Sequence, residues 1–490
     1  IIHLTVSGEI PDEPPTPGSM GIIYDSLGGL NSSTDVANVY NGQITIETRG
    51  QSSQGFDKKS YTIRLTNLDG SPNPTSLLGM PAHDKWVLHA LHIDKTLMRI
   101  PMSFYFSDRM GNYTTRYRYV EVLLNGEYRG LYCLIEKIEQ GPDRVDIDTL
   151  SNGDSGYILR IDWDSGGGGF GSNYESLGGV QMQFQYQYPK GSEMQTSHKD
   201  FIRSYMDRFE DAVFANDFTN SQGERYTDLS EISSFADFLL INELTKNSDG
   251  YKLSTYMHKD TEANAGRLKA GPIWDFDQTY GLSTVCSSND TCGWTYLQNQ
   301  PDCGDINTMP KWWENLTRDS TFCNLLVQRW QNYRSGFLHT DSVFSWIDQN
   351  LLHIGDAKDR NFVQWPILDQ NIWIEPEGAP TTYSGHIEHL KIWIDHRLRW
   401  VDRNIASIYD FTSQKGGVKV YPNPSAGVTN IAIRSGGNVK IADVTGRLVW
   451  SGYGCNDTNF EIDVSNWDIG TYIVYVKTIR GVYSGKLVVR

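Results

Sequence analysis

Hydrophobic and polar positions alternate in several stretches of the first half of the chain. Gln43–Arg49 and Lys59–Leu65 alternate in this way, which predicts two strands joined by a Gly/Ser turn. Tyr117–Leu124 and Tyr128–Ile138 flank Asn125-Gly126, a dipeptide typical of two-residue hairpin turns. The first part of the chain is therefore predicted to form antiparallel strands.

Apolar residues recur at helical spacing in the next segments. Asp94 resembles an N-cap, and Leu97, Ile100 and Phe104 would share one helix face after it. Further helices are predicted at Ser197–Phe214, Leu229–Leu244, 311–355 and 385–408. Shorter strands are predicted at Tyr157–Trp163, Leu253–His258 and Leu268–Trp274. This mixture predicts an α+β fold for residues 1–410.

The two ends of the chain have different patterns. Residues 1–40 are rich in Pro and Gly, which predicts surface loops. Residues 418–490 contain short alternating strands about every ten residues, without a helical segment, which predicts a small all-β, Ig-like sandwich. The polar stretch 411–417 is predicted to link this domain to the body.

Net charge and hydropathy limit the classes of partner. The 490-residue chain has a formal net charge of −16, which argues against nucleic acid as the main partner, because phosphate backbones need basic surface. No run of about 18 apolar residues occurs, so no transmembrane segment is predicted.

Four of the six cysteines cluster in a Ser/Asn/Gly-rich region between residues 286 and 323. No Cys-x-x-Cys pair occurs, which argues against a zinc site. Disulfides formed in an oxidising compartment are predicted instead. The simplest of the three connectivities pairs Cys286 with Cys292 and Cys303 with Cys323.

A short acidic motif, Asp275-Phe276-Asp277, follows an apolar stretch between Gly266 and Gly281. On an extended segment the two carboxylates would point to the same side, about 7 Å apart. Such a pair suits a hard cation such as Mg²⁺, which takes oxygen ligands and leaves room for phosphates. The alternative is an Asp-rich turn at the end of a strand.

Several motifs of residues 1–408 resemble, in this order, the CotH family of secreted protein kinase-like proteins. They are Arg49-Gly50-x-Ser52-Ser53, Lys58-Lys59-Ser60-Tyr61, Leu77-Leu78-Gly79-Met80-Pro81, Asp94–Arg99, Asn125-Gly126-x-Tyr128-x-Gly130-Leu131-Tyr132 with Glu136, and Pro272-Ile273-Trp274-Asp275-Phe276-Asp277. The resemblance implies an atypical protein kinase-like fold, ATP, Mg²⁺ or Mn²⁺, and phosphate transfer to Ser or Thr of a protein substrate.

The same resemblance implies roles for the acidic residues. Asp275 is the first candidate for the metal ligand and Asp277 the second. Asp249 lies where the catalytic Asp of kinases orients the substrate hydroxyl. Ser254 departs from the pattern, because kinases often carry a metal-binding Asn at that position. The alternative role of Asp249 is to end a helix before Gly250.

The cations that would contact ATP are predicted near the start of a strand. Lys58 and Lys59 are neighbours, so on a strand only one of them faces the pocket. Lys59 is the preferred catalytic and phosphate-binding residue, with Glu136 as its ion-pair partner. Arg49 could also bind phosphate through its bidentate fork. Alternatively, the lysines are a solvated pair and Arg49 forms a structural salt bridge.

The C-terminal residues are similar to the type IX secretion sorting domain of Bacteroidetes bacteria. The motifs are Val420-Tyr421-Pro422-Asn423-Pro424, Asp443-Val444-Thr445-Gly446-Arg447, Gly470-Thr471-Tyr472 and Lys486-Leu487-Val488-Val489. This similarity implies export through the periplasm by the type IX secretion machinery, and a location outside the cell or attached to the outer membrane.

Three functions are consistent with the sequence. The first is an exported ATP- and metal-dependent protein kinase. The second is a non-catalytic surface or envelope binding module, a pseudokinase, on the same fold; Ser254 and the 12% of aromatic residues favour it. The third is transfer of a nucleotide, in place of phosphate, to protein.

Overall fold

The structure is a computed structural model of the chain. It describes residues 1–151, 154–163, 166–176, 178–297, 309–408, 418–433, 437–454, 458–478 and 481–490. These residues form a mixture of helices and strands, followed by an all-β C-terminal region. The predicted mixed composition and the all-β C-terminal region are thus confirmed.

Seven strands near the N-terminus close into a barrel with the order β1-β2-β3-β4-β7-β9-β8. Within this part, β5 and β6 form a separate two-stranded sheet, and helix α1, Arg99–Arg109, connects β7 to β8. The strands are β1 Ile2–Val6, β2 Thr16–Ile22, β3 Tyr40–Arg49, β4 Ser60–Thr66, β5 Thr75–Leu77, β6 Met80–His83, β7 Lys85–His89, β8 Tyr117–Leu124 and β9 Glu127–Glu136.

Three of these barrel strands, β1, β2 and β7, were not predicted. The structure places β1 and β2 in the region that the sequence assigns to loops, so that prediction was wrong. β1 is held by pairing with β2 and, in parallel, with the distant β8. Asn125, which follows β8, also holds β1 in place. Its side chain accepts a hydrogen bond from Val6 N at 2.9 Å and donates one to Val6 O at 3.0 Å.

A second, five-stranded antiparallel sheet follows the barrel, with the order β11-β12-β10-β13-β14. Its strands are β10 Tyr157–Ile161, β11 Gly169–Glu175, β12 Gln181–Tyr188, β13 Thr255–Lys259 and β14 Lys269–Ala270. β14 has only two residues, so the strand predicted for Leu268–Trp274 is much shorter in the structure.

The helices of the body pack around a large hydrophobic core that includes most of α4. From Ser234 to Thr245 every side chain of α4 is buried, so this helix is the centre of the helical part. The segment 311–355, predicted to be helical, contains three helices in the structure. The helices are α2 Thr196–Phe214, α3 Tyr226–Leu229, α4 Ile232–Thr245, α5 Trp312–Leu316, α6 Ser320–Arg334, α7 Thr340–Ile354, α8 Ala357–Gln364 and α9 Tyr383–Asn404.

The C-terminal region consists of two antiparallel sheets with the orders β15-β16-β19 and β18-β17-β20-β21. Side chains of both sheets, including Ile431 and Val474, share one core, which makes a sandwich. The strands are β15 Val418–Tyr421, β16 Val428–Ile433, β17 Gly437–Asp443, β18 Leu448–Gly454, β19 Thr458–Asp463, β20 Gly470–Thr478 and β21 Gly481–Val489. The linker predicted at 411–417 lies outside the described residues, and the domain boundaries stay a prediction.

One predicted cysteine pair is not formed. Cys323 is a free, buried thiol whose Sγ donates a hydrogen bond to Thr317 O at 3.1 Å. The pairing with Cys303 was therefore wrong; Cys303 itself lies outside the described residues. The predicted pairing of Cys286 with Cys292 stays a prediction.

Candidate active site

A cavity of about 320 Å³ brings together residues that are far apart in the sequence. Barrel residues form one side of it, and the second sheet and the loops after α4 and β14 form the other. The lining comes from the stretches 49–60, 89–93, 160–163, 249–256 and 274–278 and from Trp373. A larger groove beside Tyr174 and Phe214 contains none of the predicted site residues.

Three predicted carboxylates, those of Asp249, Asp275 and Asp277, line this cavity. Burial, followed by the negative charges of Asp275 and Asp249, raises the pKa of Asp277 to about 7. The cavity therefore holds mutually repelling carboxylates, an arrangement that a cation would stabilise.

Asp249 is positioned by the end of α4 and by a glutamine that the sequence analysis did not identify. Helix α4 ends at Thr245, and its C-cap residue, Lys246, has a left-handed backbone conformation. Asn247 then accepts a hydrogen bond from Asp249 N at 3.1 Å. Gln278 Nε2 donates to Asp249 Oδ2 at 3.0 Å, and Gln278 Oε1 accepts from Ser248 Oγ at 3.0 Å. The Asp249 carboxylate is thus held in one orientation.

Asp275 is held by Ser254. Both residues have positive φ, 53° for Asp275 and 45° for Ser254, a conformation uncommon outside glycine. Ser254 Oγ donates a hydrogen bond to Asp275 Oδ2 at 2.8 Å. The residue that departs from the kinase pattern therefore contacts the first metal-ligand candidate directly.

A fourth carboxylate, Asp162, lies at the end of β10 and also lines the cavity. Its pKa is raised, first by burial and also by the charge of Asp275, while Arg160 acts in the opposite direction. Arg160 Nη1 lies 3.7 Å from Asp162 Oδ2. Asp162 was not among the predicted site residues, although an acidic residue at the end of a predicted strand was a usable signal.

Arg49 and Lys58 both line the cavity. The Lys58 side chain, however, is held by hydrogen bonds to other parts of the protein. Lys58 is buried, and its Nζ donates to Leu131 O at 2.6 Å and Asn361 Oδ1 at 2.8 Å. Burial lowers its pKa to about 7. Arg49 instead lies over the ring of Trp274, 5.3 Å from its centroid.

The predicted ion pair between Lys59 and Glu136 is wrong. Glu136 is fully buried on β9 and accepts from Arg116 Nη1 at 2.9 Å and from Arg116 N at 3.0 Å. Lys59 Nζ donates to Gln54 O at 2.6 Å. Neither residue is among those that line the cavity. The reason is that Arg116, immediately before β8, satisfies the buried carboxylate from the neighbouring strand.

Aromatic side chains form part of the cavity wall. Phe56 and Trp373 meet edge to face, with ring centroids 5.8 Å apart, and Phe56 also contacts His92 at 5.2 Å. Tyr256 and Trp163 also line the cavity, together with Arg160 and Asp162. Trp373 had no signal in the sequence analysis.

Among the residues that the structure describes, no group of three or more His, Cys, Asp or Glu side chains is arranged to hold a metal ion by itself. Mg²⁺ in phosphoryl-transfer sites is commonly bound by one or two carboxylates together with substrate phosphates. The carboxylates of Asp275 and Asp277 fit that donor set.

Two family models match the chain. The model described as CotH kinase protein matches residues 46–401, and the model described as secretion system C-terminal sorting domain matches residues 419–490. A search of curated proteins found no match. The C-terminal match indicates export by the type IX secretion machinery to the cell surface or the medium. Within the described residues, no helix is long and apolar enough to cross a membrane.

Proposed function

Because the chain belongs to the family of CotH kinase proteins, we propose that it is an exported kinase that transfers the γ-phosphate of ATP to a Ser or Thr hydroxyl of a protein. The observation that supports this proposal best is the convergence of Asp249, Asp275 and Asp277 in one cavity. Phosphoryl transfer requires positioned charge more than covalent chemistry, and this cavity supplies it.

Asp275 and Asp277 are proposed to hold the divalent metal. Mg²⁺ or Mn²⁺, when bound, neutralises the charge that develops on the phosphate oxygens. The raised pKa of Asp277 supports this assignment, because a group that repels its neighbours in the free protein gains most from a cation. Ser254 Oγ fixes the orientation of Asp275 for that role.

Asp249 is proposed to act on the acceptor. Its carboxylate, held by Gln278, would orient the hydroxyl and take its proton while the hydroxyl oxygen bonds to the γ-phosphorus and ADP leaves. Arg49 and Arg160 are the cations proposed to contact phosphate, since both line the cavity. They replace Lys59, which lies outside it.

One observation favours the alternative of a non-catalytic binding module. Ser254 stands where kinases often carry a metal-binding Asn, and its hydroxyl contacts Asp275. A single metal held by Asp275 and Asp277 is compatible with transfer, whereas a second protein-bound metal would lack its usual ligand. The two functions therefore differ in whether bound ATP is turned over.

Intact-mass analysis after incubation with ATP and Mg²⁺ tests the proposal, with a generic protein acceptor present. The kinase predicts an added phosphate on acceptor or enzyme, and nucleotide transfer predicts an added AMP. The Asp275→Asn variant is the control, and we expect no modification with it. If the wild type binds nucleotide with Mg²⁺ but modifies nothing, the binding module is correct and the kinase proposal fails.

A further inference from the structure

The loop that follows α4 exposes one carboxylate at the cavity and is otherwise buried. Between Ser234 and Lys252, all of which the structure describes, Asp249 alone is not buried. Residues 246–251, named here the Asp249 loop, therefore lie against the rest of the protein except at the residue proposed to act on the acceptor. The contacts that hold this loop decide where the Asp249 carboxylate lies.

The start of the Asp249 loop is held by the buried ammonium group of Lys246. Lys246 is 1% exposed, and its Nζ donates hydrogen bonds to Cys292 O at 2.6 Å and to Ser287 O at 3.2 Å. The side chain thereby joins the C-cap of α4 to a segment more than 40 residues further along the chain.

The end of the loop is held by the hydroxyl of Tyr251, two residues after Asp249. Tyr251 is completely buried and has a φ of 71°, a conformation that surrounding contacts must maintain in a residue other than glycine. Its Oη donates a hydrogen bond to Glu243 Oε1 at 2.9 Å, and Leu239 O lies 3.3 Å from the same hydroxyl. Its ring packs against Trp313, with ring centroids 4.9 Å apart. The loop is thus tied back to α4.

Glu243 is itself held by a buried network that includes helix α9. Its carboxylate accepts hydrogen bonds from Thr295 N at 2.7 Å and from Tyr296 N at 2.9 Å. Arg397 of α9 is completely buried, and its Nε donates to Glu243 O at 2.8 Å, while Nη2 lies 3.3 Å from Glu243 Oε2. A buried polar network whose members are satisfied specifies one arrangement of the chain.

Arg397 also connects the two ends of the loop. Its Nη1 donates to Thr291 O and to Gly293 O, both at 2.9 Å. These two residues flank Cys292, whose carbonyl accepts from Lys246. Both ends of the Asp249 loop are therefore held by the same buried network.

We propose that Tyr251 is a positioning residue for phosphoryl transfer, because its hydroxyl, held by Glu243, fixes the loop so that the Asp249 carboxylate meets the acceptor hydroxyl. The inference rests on the proposed function, in which Asp249 takes the proton of the acceptor. Tyr251 is completely buried, so it acts through Asp249 and not by contact with the substrate. Gln278 orients the Asp249 carboxylate, whereas Tyr251 fixes the backbone that carries it.

Tyr251→Phe tests this role, because it removes the hydroxyl and keeps the ring. We expect kcat for phosphate transfer to a generic protein acceptor to fall roughly tenfold, since a displacement of about 1 Å can cost as much as 10²-fold. KM for ATP and the affinity for ADP with Mg²⁺, measured by calorimetry, should stay at the wild-type values. The proposed metal ligands, Asp275 and Asp277, follow β14 and do not belong to the Asp249 loop.

Tyr226→Phe is the matched control. Tyr226 is completely buried as well, and its Oη donates to Asp319 Oδ2 at 2.7 Å, so the substitution removes a comparable hydrogen bond to a carboxylate elsewhere in the body. It should lower the temperature of thermal unfolding about as much as Tyr251→Phe and leave kcat unchanged. The proposal is overturned if Tyr251→Phe keeps the wild-type kcat, if Tyr226→Phe lowers kcat equally, or if Tyr251→Phe weakens binding of ADP with Mg²⁺ as much as it slows transfer.

Hydrogen exchange measured by mass spectrometry separates this inference from the proposed function. We expect fragments that cover residues 246–253 to exchange faster in Tyr251→Phe and at the wild-type rate in Tyr226→Phe. If the wild type transfers no phosphate, the kinase proposal fails, and faster exchange in Tyr251→Phe alone still establishes that Tyr251 holds the loop. Unchanged exchange of these fragments in Tyr251→Phe refutes the inference, whatever the activity of the wild type.

Discussion

Asp249 is the residue that separates a kinase from a binding module. We predict that Asp249→Asn lowers phosphoryl transfer by roughly 10²–10⁴-fold, the usual contribution of a positioned acid or base. The amide has nearly the same shape, and Gln278 can still donate to its oxygen, so nucleotide affinity should not change. Transfer of labelled phosphate and calorimetry with ADP and Mg²⁺ measure the two effects. An unchanged transfer rate would mean that Asp249 only ends the helix and does not act on the acceptor hydroxyl.

Asp277 should make metal binding depend on pH. Its pKa of about 7 means that protons compete with the cation below neutrality. We predict that affinity for ADP with Mg²⁺ rises roughly tenfold from pH 6 to pH 8 through this group. Asp277→Asn is the control, because any pH dependence that it keeps comes from the nucleotide itself. An equal rise in affinity in both proteins would contradict the proposed role of Asp277 in metal binding.

The same carboxylate affects stability without metal. The folded protein keeps a proton on Asp277 that the unfolded chain has lost above its ordinary value near 3.8. Its contribution to the free energy of unfolding therefore falls as pH rises from that value to about 7. Asp277→Asn should be relatively more stable than the wild type at pH 8, as thermal unfolding of the metal-free proteins can measure.

Local motifs revealed most of the charged site residues but not their pairing. Asp275 and Asp277 lie two residues apart in one motif, and the order of the motifs along the chain pointed to Asp249. These three residues could therefore be predicted. The preference for Lys59 over Lys58 failed because β4 begins only at Ser60, and Lys58 is fixed by Asn361 of a distant helix. The position of Trp373 depends on the ion pair between Lys95 and the nearby Glu375, which no local pattern encodes.

Among the secondary-structure elements, helix α8 contacts the barrel at Gly130, where the lack of a side chain leaves room for Asn361. Gly130 on β9 has a φ of 100°, and a Cβ there would lie 2.6 Å from Asn361 Oδ1. Asn361 Oδ1 accepts hydrogen bonds from both Lys58 Nζ and Leu131 N. The glycine of the Asn125–Tyr132 motif therefore makes room for the residue that holds Lys58.

We predict that Gly130→Ala lowers the free energy of unfolding by about 1–3 kcal/mol, through backbone strain and displacement of Asn361. Gly141→Ala is the matched control, because its Cβ would meet no atom within 4 Å and its backbone is not in the left-handed region. Denaturant unfolding of both variants measures the difference. Equal stabilities would show that α8 adjusts without cost.

Elements with strong local signals were predicted well, and those held by distant partners were not. The β8–β9 hairpin follows from Asn125-Gly126 and its flanking apolar runs. β1 and β2 adjoin Pro-rich sequence, and their pairing with each other and with β8 overrides it. The division of 311–355 into three helices likewise depends on packing against the core, which periodicity does not report.

At the scale of the whole molecule, the proposed kinase function and the sorting function are assigned to different parts of the chain. The two family matches cover residues 46–401 and 419–490 without overlap. We predict that a protein ending at residue 410 binds ADP and Mg²⁺ with wild-type affinity but is not exported. Calorimetry and cell fractionation test this. A shortened body that aggregates or loses affinity would mean that the C-terminal sandwich supports the site.

The closed barrel also protects the protein against self-association. β1 is the closing strand, since it pairs with β2 on one side and with β8 on the other. An open sheet edge presents unpaired backbone groups that recruit further strands and lead to aggregation. For an exported protein that accumulates outside the cell, cleavage after Val6 would remove this strand and expose two edges at once. Proteolysis at that short segment would therefore convert a closed barrel into a seed for self-association.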